Sequence, residues 1–163
     1  MILYKYKPFN VWALDIIVNN ELYLADPKEL NDPMDCAILI DEKREELPTA
    51  ICSLSKKNND YLMWSHYADG HKGICLKLNY DNIIKAIEVE NQKATQRKTV
   101  YLEEVNYCSE KEYRKNVNNM RTDRGDIIID KKNTLLKIKT NNFKHEKEIR
   151  LITKSFDIKK KLR

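Results

Sequence analysis

The sequence predicts an α+β domain in which two small mixed or antiparallel sheets are flanked by helices. Three observations carry that expectation. Segments with the two-residue period of a strand alternate with segments of helical period, and the order strand, helix, strand occurs twice before residue 80. At 163 residues and 42% hydrophobic content the chain suits one domain able to bury most of its unfolded-state apolar surface. No internal repeat and no low-complexity linker divides it.

The first element is ILYKYK, where Ile2, Tyr4 and Tyr6 alternate with Leu3, Lys5 and Lys7, and Pro8 ends the strand. Asn10 is placed to cap a helix through about residue 18, with Val11, Leu14, Ile17 and Val18 on one face expected to meet the core. Asn19 and Asn20 turn the chain into the strand ELYLA, and Asp26 and Pro27 read as the cap and first residue of a brief helical turn. NDPMD, residues 31–35, is a proline turn, and the charged run 41–48 is a surface loop or short helix. TAICSLS, residues 49–55, is a strand closing on small hydroxyl residues. A helix over 58–68 follows, Gly70 and Gly73 bracket the turn, and KGICLKLN is the next strand. Beyond it the pattern predicts a helix over 80–88, a polar loop over 90–97, a strand over 98–107 and a helix over 109–117. Residues 118–125 read as a flexible loop, residues 126–139 carry Ile127, Ile128, Leu135 and Ile138 at helical intervals, and EIRLIT is the last clear strand.

Composition narrows the function classes. No apolar run approaches the length of a membrane span and MILYKYKPFN lacks a signal peptide's apolar centre, so a cytoplasmic protein with no membrane partner is expected. Cys36, Cys52, Cys75 and Cys108 form no C-x-x-C pair and read as reduced, mostly buried thiols. A net charge of +5 from 30 basic and 25 acidic residues permits nucleic-acid binding without pointing to it, and the tail cations Lys159, Lys160, Lys161 and Arg163 read as a solvated end.

Two stretches concentrate reactive side chains. In a strand beginning near Glu146, the residues Glu146, Glu148 and Arg150 of FKHEKEIRLIT share one face while Ile149 and Leu151 take the other. Paired carboxylates can hold a sugar hydroxyl and stabilise an electron-poor carbon, though the same letters also describe the polar edge of a surface strand. The second stretch, LMWSHYADGHKGICLKL, holds Trp64, His66, Tyr67 and His71 in a chain with two Trp and three His. Ring faces there could sandwich a nucleobase or a nicotinamide, or Trp64 and Tyr67 could be core anchors and His66 a capping histidine. The five-residue spacing of His66 and His71 is poor for one metal ion, and no metal is expected. Ser53 and Ser55 end a strand without a nucleophile elbow, Asp32 and Asp35 are either turn residues or metal carboxylates, and neither G-x-G-x-x-G nor a P-loop occurs.

In order along the chain, LYKY, LNDPMD, MWSHYADGHKGICL and K-x-x-x-F-K-H-E-K-E-I-R resemble the bacterial family known as domain of unknown function 2971. The resemblance runs from Leu3 to Arg150, with Met34 where the family pattern has Phe and Phe143 where it has Trp. The element order is in turn similar to that of ADP-ribosyltransferases, which use a basic or histidine residue on the first strand, serines ending a middle strand and a glutamate on a late strand. That resemblance implies NAD as substrate, Glu148 with Glu146 at the nicotinamide ribose, and Ser53 or Ser55 as the middle element. Tyr4, Lys5 and Tyr6 stand where Arg or His belongs, and Lys5 offers a phosphate only a point charge. His66, Tyr67 and His71 would line the cleft, with Trp64 packed behind them. The implied activity is transfer of ADP-ribose to a protein or nucleic-acid acceptor, in a toxin or phage-defence setting. The alternatives are a metal-dependent nuclease using Asp32, Asp35 and Glu148, and a non-catalytic nucleotide-sensing or protein-binding module. The sequence leaves the acceptor and the oligomeric state open.

Overall fold

The computed structural model describes residues 1–26, 29–30, 49–93, 99–119, 136–154 and 160–162. Strand β1 (Ile2–Lys7) leads through helix α1 (Val11–Asn19) to β2 (Leu22–Leu24). β3 (Thr49–Ser55), α2 (Tyr61–Tyr67), β4 (Ile74–Asn79) and α3 (Tyr80–Lys93) follow. Then come β5 (Thr99–Glu104), β6 (Asn106–Cys108), α4 (Glu110–Asn119) and β7 (Ile138–Thr140). A 3₁₀ helix (Asn141–Glu146) runs into β8 (Glu148–Lys154), and β9 (Lys160–Leu162) is the last element.

The α+β architecture holds, with a different division into sheets. Among the described residues one five-stranded antiparallel sheet, in the order β4-β1-β3-β8-β5, replaces the two small sheets expected. The reason is β8, whose Ile149, Leu151 and Ile152 are buried and let it enter the middle of the sheet and pair on both sides, Leu151 with Cys52 and with Leu102. Two ribbons complete the pairing, β2 antiparallel to β9 and β6 parallel to β7. Lys160 and Lys161, expected in a solvated tail, pair their backbone with Leu24 and Tyr23.

Asn10 caps α1 as expected, accepting the Ala13 amide at 3.1 Å. α2 starts at Tyr61 instead of residue 58, where Asp60 accepts the Met63 amide at 3.1 Å. Gly73 is required by proximity, because a Cβ there would stand 2.3 Å from the Lys7 carbonyl oxygen, where β4 closes on β1.

One face of the sheet buries Leu3, Cys52, Leu54, Ile149 and Leu151 against Ile16 of α1 and Ile83 and Ile87 of α3. The other face packs Tyr6 against Met63 and Ala68 at one end and Ile51 and Ile152 against Leu136 at the other. Among the described residues no helix is long and apolar enough to cross a membrane.

Several expectations are corrected. Helix α1 buries Ala13 and Ile16, so the face carrying Val11, Leu14, Ile17 and Val18 is turned to solvent. α3 continues to Lys93 instead of yielding to a loop at residue 90, and the strand expected over 98–107 breaks at Val105 into β5 and β6. Within the expected helix over 126–139, residues 136–137 form a turn and Ile138 opens β7. Asp32, Asp35 and Cys36, Pro27, the charged run 41–48, residues 120–135, Lys159 and Arg163 lie outside the described residues. Cys52, Cys75 and Cys108 are free thiols, of which Cys52 is buried.

Candidate functional site

Antiparallel register sets Tyr4 opposite Ser55 and Ser55 opposite Glu148, so three adjacent strands present a row of polar side chains on one face. Ser53 and Arg150, paired one pleat further along, stand on that face too. A pocket of about 80 Å³ opens over this row. Tyr4, Lys5 and Tyr6 line it from β1, Ser53 and Ser55 from β3, Met63 and Tyr67 from α2, and Lys139, Glu146 and Glu148 close its floor.

The floor is a chain of buried charges. Arg150, wholly buried, donates from Nε to Glu148 Oε1 at 2.9 Å and from Nη2 to Oε2 at 3.3 Å, while its Nη1 reaches the Leu136 carbonyl at 3.0 Å. Lys139 Nζ bridges the two carboxylates, 2.8 Å from Glu146 Oε2 and 2.9 Å from Glu148 Oε2. Tyr67 donates its hydroxyl to Glu146 Oε1 at 2.7 Å. Two carboxylates and two cations leave the cluster neutral, the condition under which so many charges tolerate removal from water.

Local structure explains how Glu146 and Glu148 meet. Glu146 ends the 3₁₀ helix, Lys147 takes a left-handed conformation at φ 46°, and Glu148 opens β8. The corner is pinned on both sides: Ser55 donates its hydroxyl to the Glu146 carbonyl at 2.6 Å, and the Glu148 amide donates to the Tyr107 hydroxyl at 2.8 Å. The parallel ribbon brings Tyr107 of β6 opposite Lys139 of β7, which is how a lysine remote from both serine and histidine blocks arrives under the pocket.

Burial would push the Glu148 carboxyl up, but Arg150 and then Lys139 outweigh it, with a hydrogen bond from Ser53 adding to them, and the group is held down at about 2. Burial, followed by the neighbouring Glu146 carboxylate, pushes the Tyr67 hydroxyl far up, so it remains a donor. Burial likewise raises the Tyr107 hydroxyl to about 12. The two carboxylates therefore differ in what they can still do. Glu148 receives two guanidinium contacts and one ammonium contact, which occupy three of its roughly four lone-pair positions. Among the described residues Glu146 accepts from Tyr67 and Lys139, leaving about two positions for a ligand.

A family model covers residues 63–151, more than half of the chain. The chain belongs to the family described as Protein of unknown function (DUF2971). The DUF2971 segment begins at Met63 on α2 and ends at Leu151 on β8, so it contains Tyr67, Lys139, Glu146 and Glu148 while β1 and the Ser53 to Ser55 strand end precede it. No curated protein and no solved structure matches the chain.

Of the residues singled out in the sequence, Tyr4, Lys5, Tyr6, Ser53, Ser55, Tyr67, Glu146 and Glu148 border the one pocket. His66 and His71 do not: both are exposed, and His71 stacks on Tyr61 with ring centroids 4.5 Å apart. Trp64 sits edge-on to Tyr6 at 5.4 Å and donates its indole N–H to the Asn58 carbonyl, an anchor of α2. Lys5, which alternation places on the face of β1 opposite to Tyr4 and Tyr6, donates to the Ser53 carbonyl at 2.8 Å and ties β1 to β3. Lys139, Met63 and Tyr107 were missed. Nothing in the alternation of LKIKT distinguishes Lys139 from an exposed strand lysine. Among the described residues no group of three or more His, Cys, Asp or Glu side chains could hold a metal ion, and the two aspartates that a nuclease would need lie outside them.

Proposed function

We propose that this protein is an ADP-ribosyltransferase-like enzyme that cleaves NAD and passes ADP-ribose to a protein or nucleic-acid acceptor. One observation carries the reading: three segments far apart in sequence, on the first strand, at the serine end of a middle strand and at the glutamates of a late strand, border one pocket from three adjacent strands. That is the three-element layout which the resemblance implies. In the reaction the bond between the nicotinamide nitrogen and ribose C1′ breaks, the electron pair leaves with nicotinamide, and an acceptor nucleophile bonds to C1′ and loses its proton.

The arrangement favours Glu146 over Glu148 as the carboxylate that meets the sugar, because Glu146 retains more acceptor positions and is not forked by a guanidinium. Glu148 then acts through Lys139, holding the ammonium that orients Glu146. Tyr4, Tyr6 and Tyr67 supply ring faces for the nicotinamide. At about 80 Å³ the pocket suits one ring or one sugar, well below the 300 to 1,000 Å³ usual for a whole ligand, so the adenosine end would lie beyond it.

A second reading, a nucleotide sensor without chemistry, is favoured by the double cation pairing of Glu148 and the neutrality of the floor. Incubation with NAD and chromatographic detection of nicotinamide separates the two. Release by the wild type, reduced about 10²- to 10⁴-fold in Glu146→Gln with NAD affinity retained, supports the enzyme. Binding without release, with protein and nucleic-acid acceptors supplied, supports the sensor, and absence of binding removes both.

A further inference from the structure

Helix α1 is apolar on the side that the core does not use. Phe9, Val11, Trp12, Ile17 and Val18 are each more than half exposed, Val18 at 73%, and Leu14 lies between them at 41%. The only charge in the helix is Asp15. Beside it runs a groove of about 760 Å³, bordered by Ile16 of α1, Asn20 at its C-terminal cap, Leu22 of β2, and Ile83, Ala86 and Val89 of α3. Two exposed cations, Lys77 and Lys85, complete its border.

We propose that this ridge and groove form the docking surface for a second copy of the chain. Two side-by-side features, one convex and one concave, satisfy a two-fold axis passing between them, each copy's ridge of Leu14, Ile17 and Val18 seating in the other's groove. Area is compatible with a pair: Val11, Leu14, Ile17 and Val18, on one side of the helix, leave on the order of 400 Å² open, and the groove that each copy also contributes brings the buried surface toward the ~800 Å² per partner of a standard interface. Charge supports it as well, since Asp15 on the ridge is complemented by Lys77 and Lys85 at the groove. A bilayer is the poorer occupant, because interfacial helices carry Lys or Arg beside their apolar face and α1 carries neither.

Sedimentation velocity of the whole chain across a micromolar concentration range tests this. A monomer to dimer equilibrium is expected, with Trp12 fluorescence shifting to shorter wavelength as the dimer forms. Leu14→Glu and Val18→Glu, both at exposed positions, should raise the dissociation constant about a hundredfold or more while leaving the melting temperature unchanged when it is measured at a concentration where the wild type is monomeric. Asp15→Lys should weaken the dimer less, and adding Lys85→Glu should restore it. A wild type that stays monomeric at every concentration overturns the proposal, as does a dimer unaffected by either glutamate. So does a monomer that cosediments with phosphatidylcholine vesicles through the same residues.

Discussion

The two faces of the central sheet are built from the same strands on opposite principles. On one, Leu3, Leu54, Ile149 and Leu151 form a core that needs only matching volume, and each residue can be exchanged for another apolar one at modest cost. On the other, Ser55, Glu148 and Arg150 occupy the alternate positions of β3 and β8, and there every group depends on a partner of the right charge at the right distance. Odd and even positions of one strand thus divide the labour of holding the fold and shaping a pocket. An apolar face fails gradually; a buried charged face fails when any one member is lost.

Glu148→Gln is the sharpest way to break the comparison. It keeps shape and removes charge, leaving Arg150 and Lys139 buried with one carboxylate between them. A loss of roughly 3 to 5 kcal/mol is expected in denaturant unfolding. Retention of full stability would mean that the charged face tolerates imbalance, and the contrast would collapse.

Leu151→Ala, from the opposite face of the same strand, is expected to cost about 3 kcal/mol through a cavity in the wholly buried core, while leaving ligand binding at the pocket unchanged. Equilibrium unfolding together with NAD titration would read both. Altered binding in Leu151→Ala would show the faces to be coupled.

pH separates them further. The Glu148 carboxyl is held at about 2, below its ordinary value of 4.5, so its contribution to stability is present above about 4.5 and is lost as pH falls through 2. The difference corresponds to roughly 3 kcal/mol. Acid unfolding curves of wild type and Leu151→Ala should share this limb, displaced by a constant, whereas Glu148→Gln should lack it. On the alkaline side the raised hydroxyls of Tyr67 and Tyr107 act in the opposite sense, their contribution intact below about pH 10 and lost as pH rises through their folded values.

The smallest effect expected on the charged face comes from Tyr67→Phe, which removes one donor from Glu146 and should cost about 1 to 2 kcal/mol in unfolding. If Glu146 meets the sugar, the same change should also slow nicotinamide release with NAD affinity retained. An unchanged rate would separate Tyr67 from the site.

How far these faces were legible depends on the range of the forces that made them. TAICSLS and EIRLIT declare themselves because alternation is local, and Glu146 and Glu148 point to one another because they are two residues apart. Even so, the carboxylates are brought together by a left-handed residue between a 3₁₀ helix and a strand, not by a continuous strand. Lys139 was illegible, since only the parallel pairing of β6 with β7 delivers it to the glutamates. α1 shows the limit from the other side. Its apolar stripe was visible, but the packing of Ala13 and Ile16 against the sheet, which the stripe cannot encode, decides which way it turns. The histidines were marked by rarity, a property of composition with no bearing on direction, and both face water.

The place of β8 in the sheet has a consequence for synthesis. Strands made first, β1 and β3, and a strand made midway, β5, must wait for a segment near residue 150 to enter between β3 and β5. A nascent chain that has emerged only to Thr140 carries two edges where the finished molecule has a centre, and it lacks Glu146, Glu148 and Arg150 altogether. Completion of the sheet and of the pocket therefore waits on the same late segment, and a chain that ends before Glu148 carries neither.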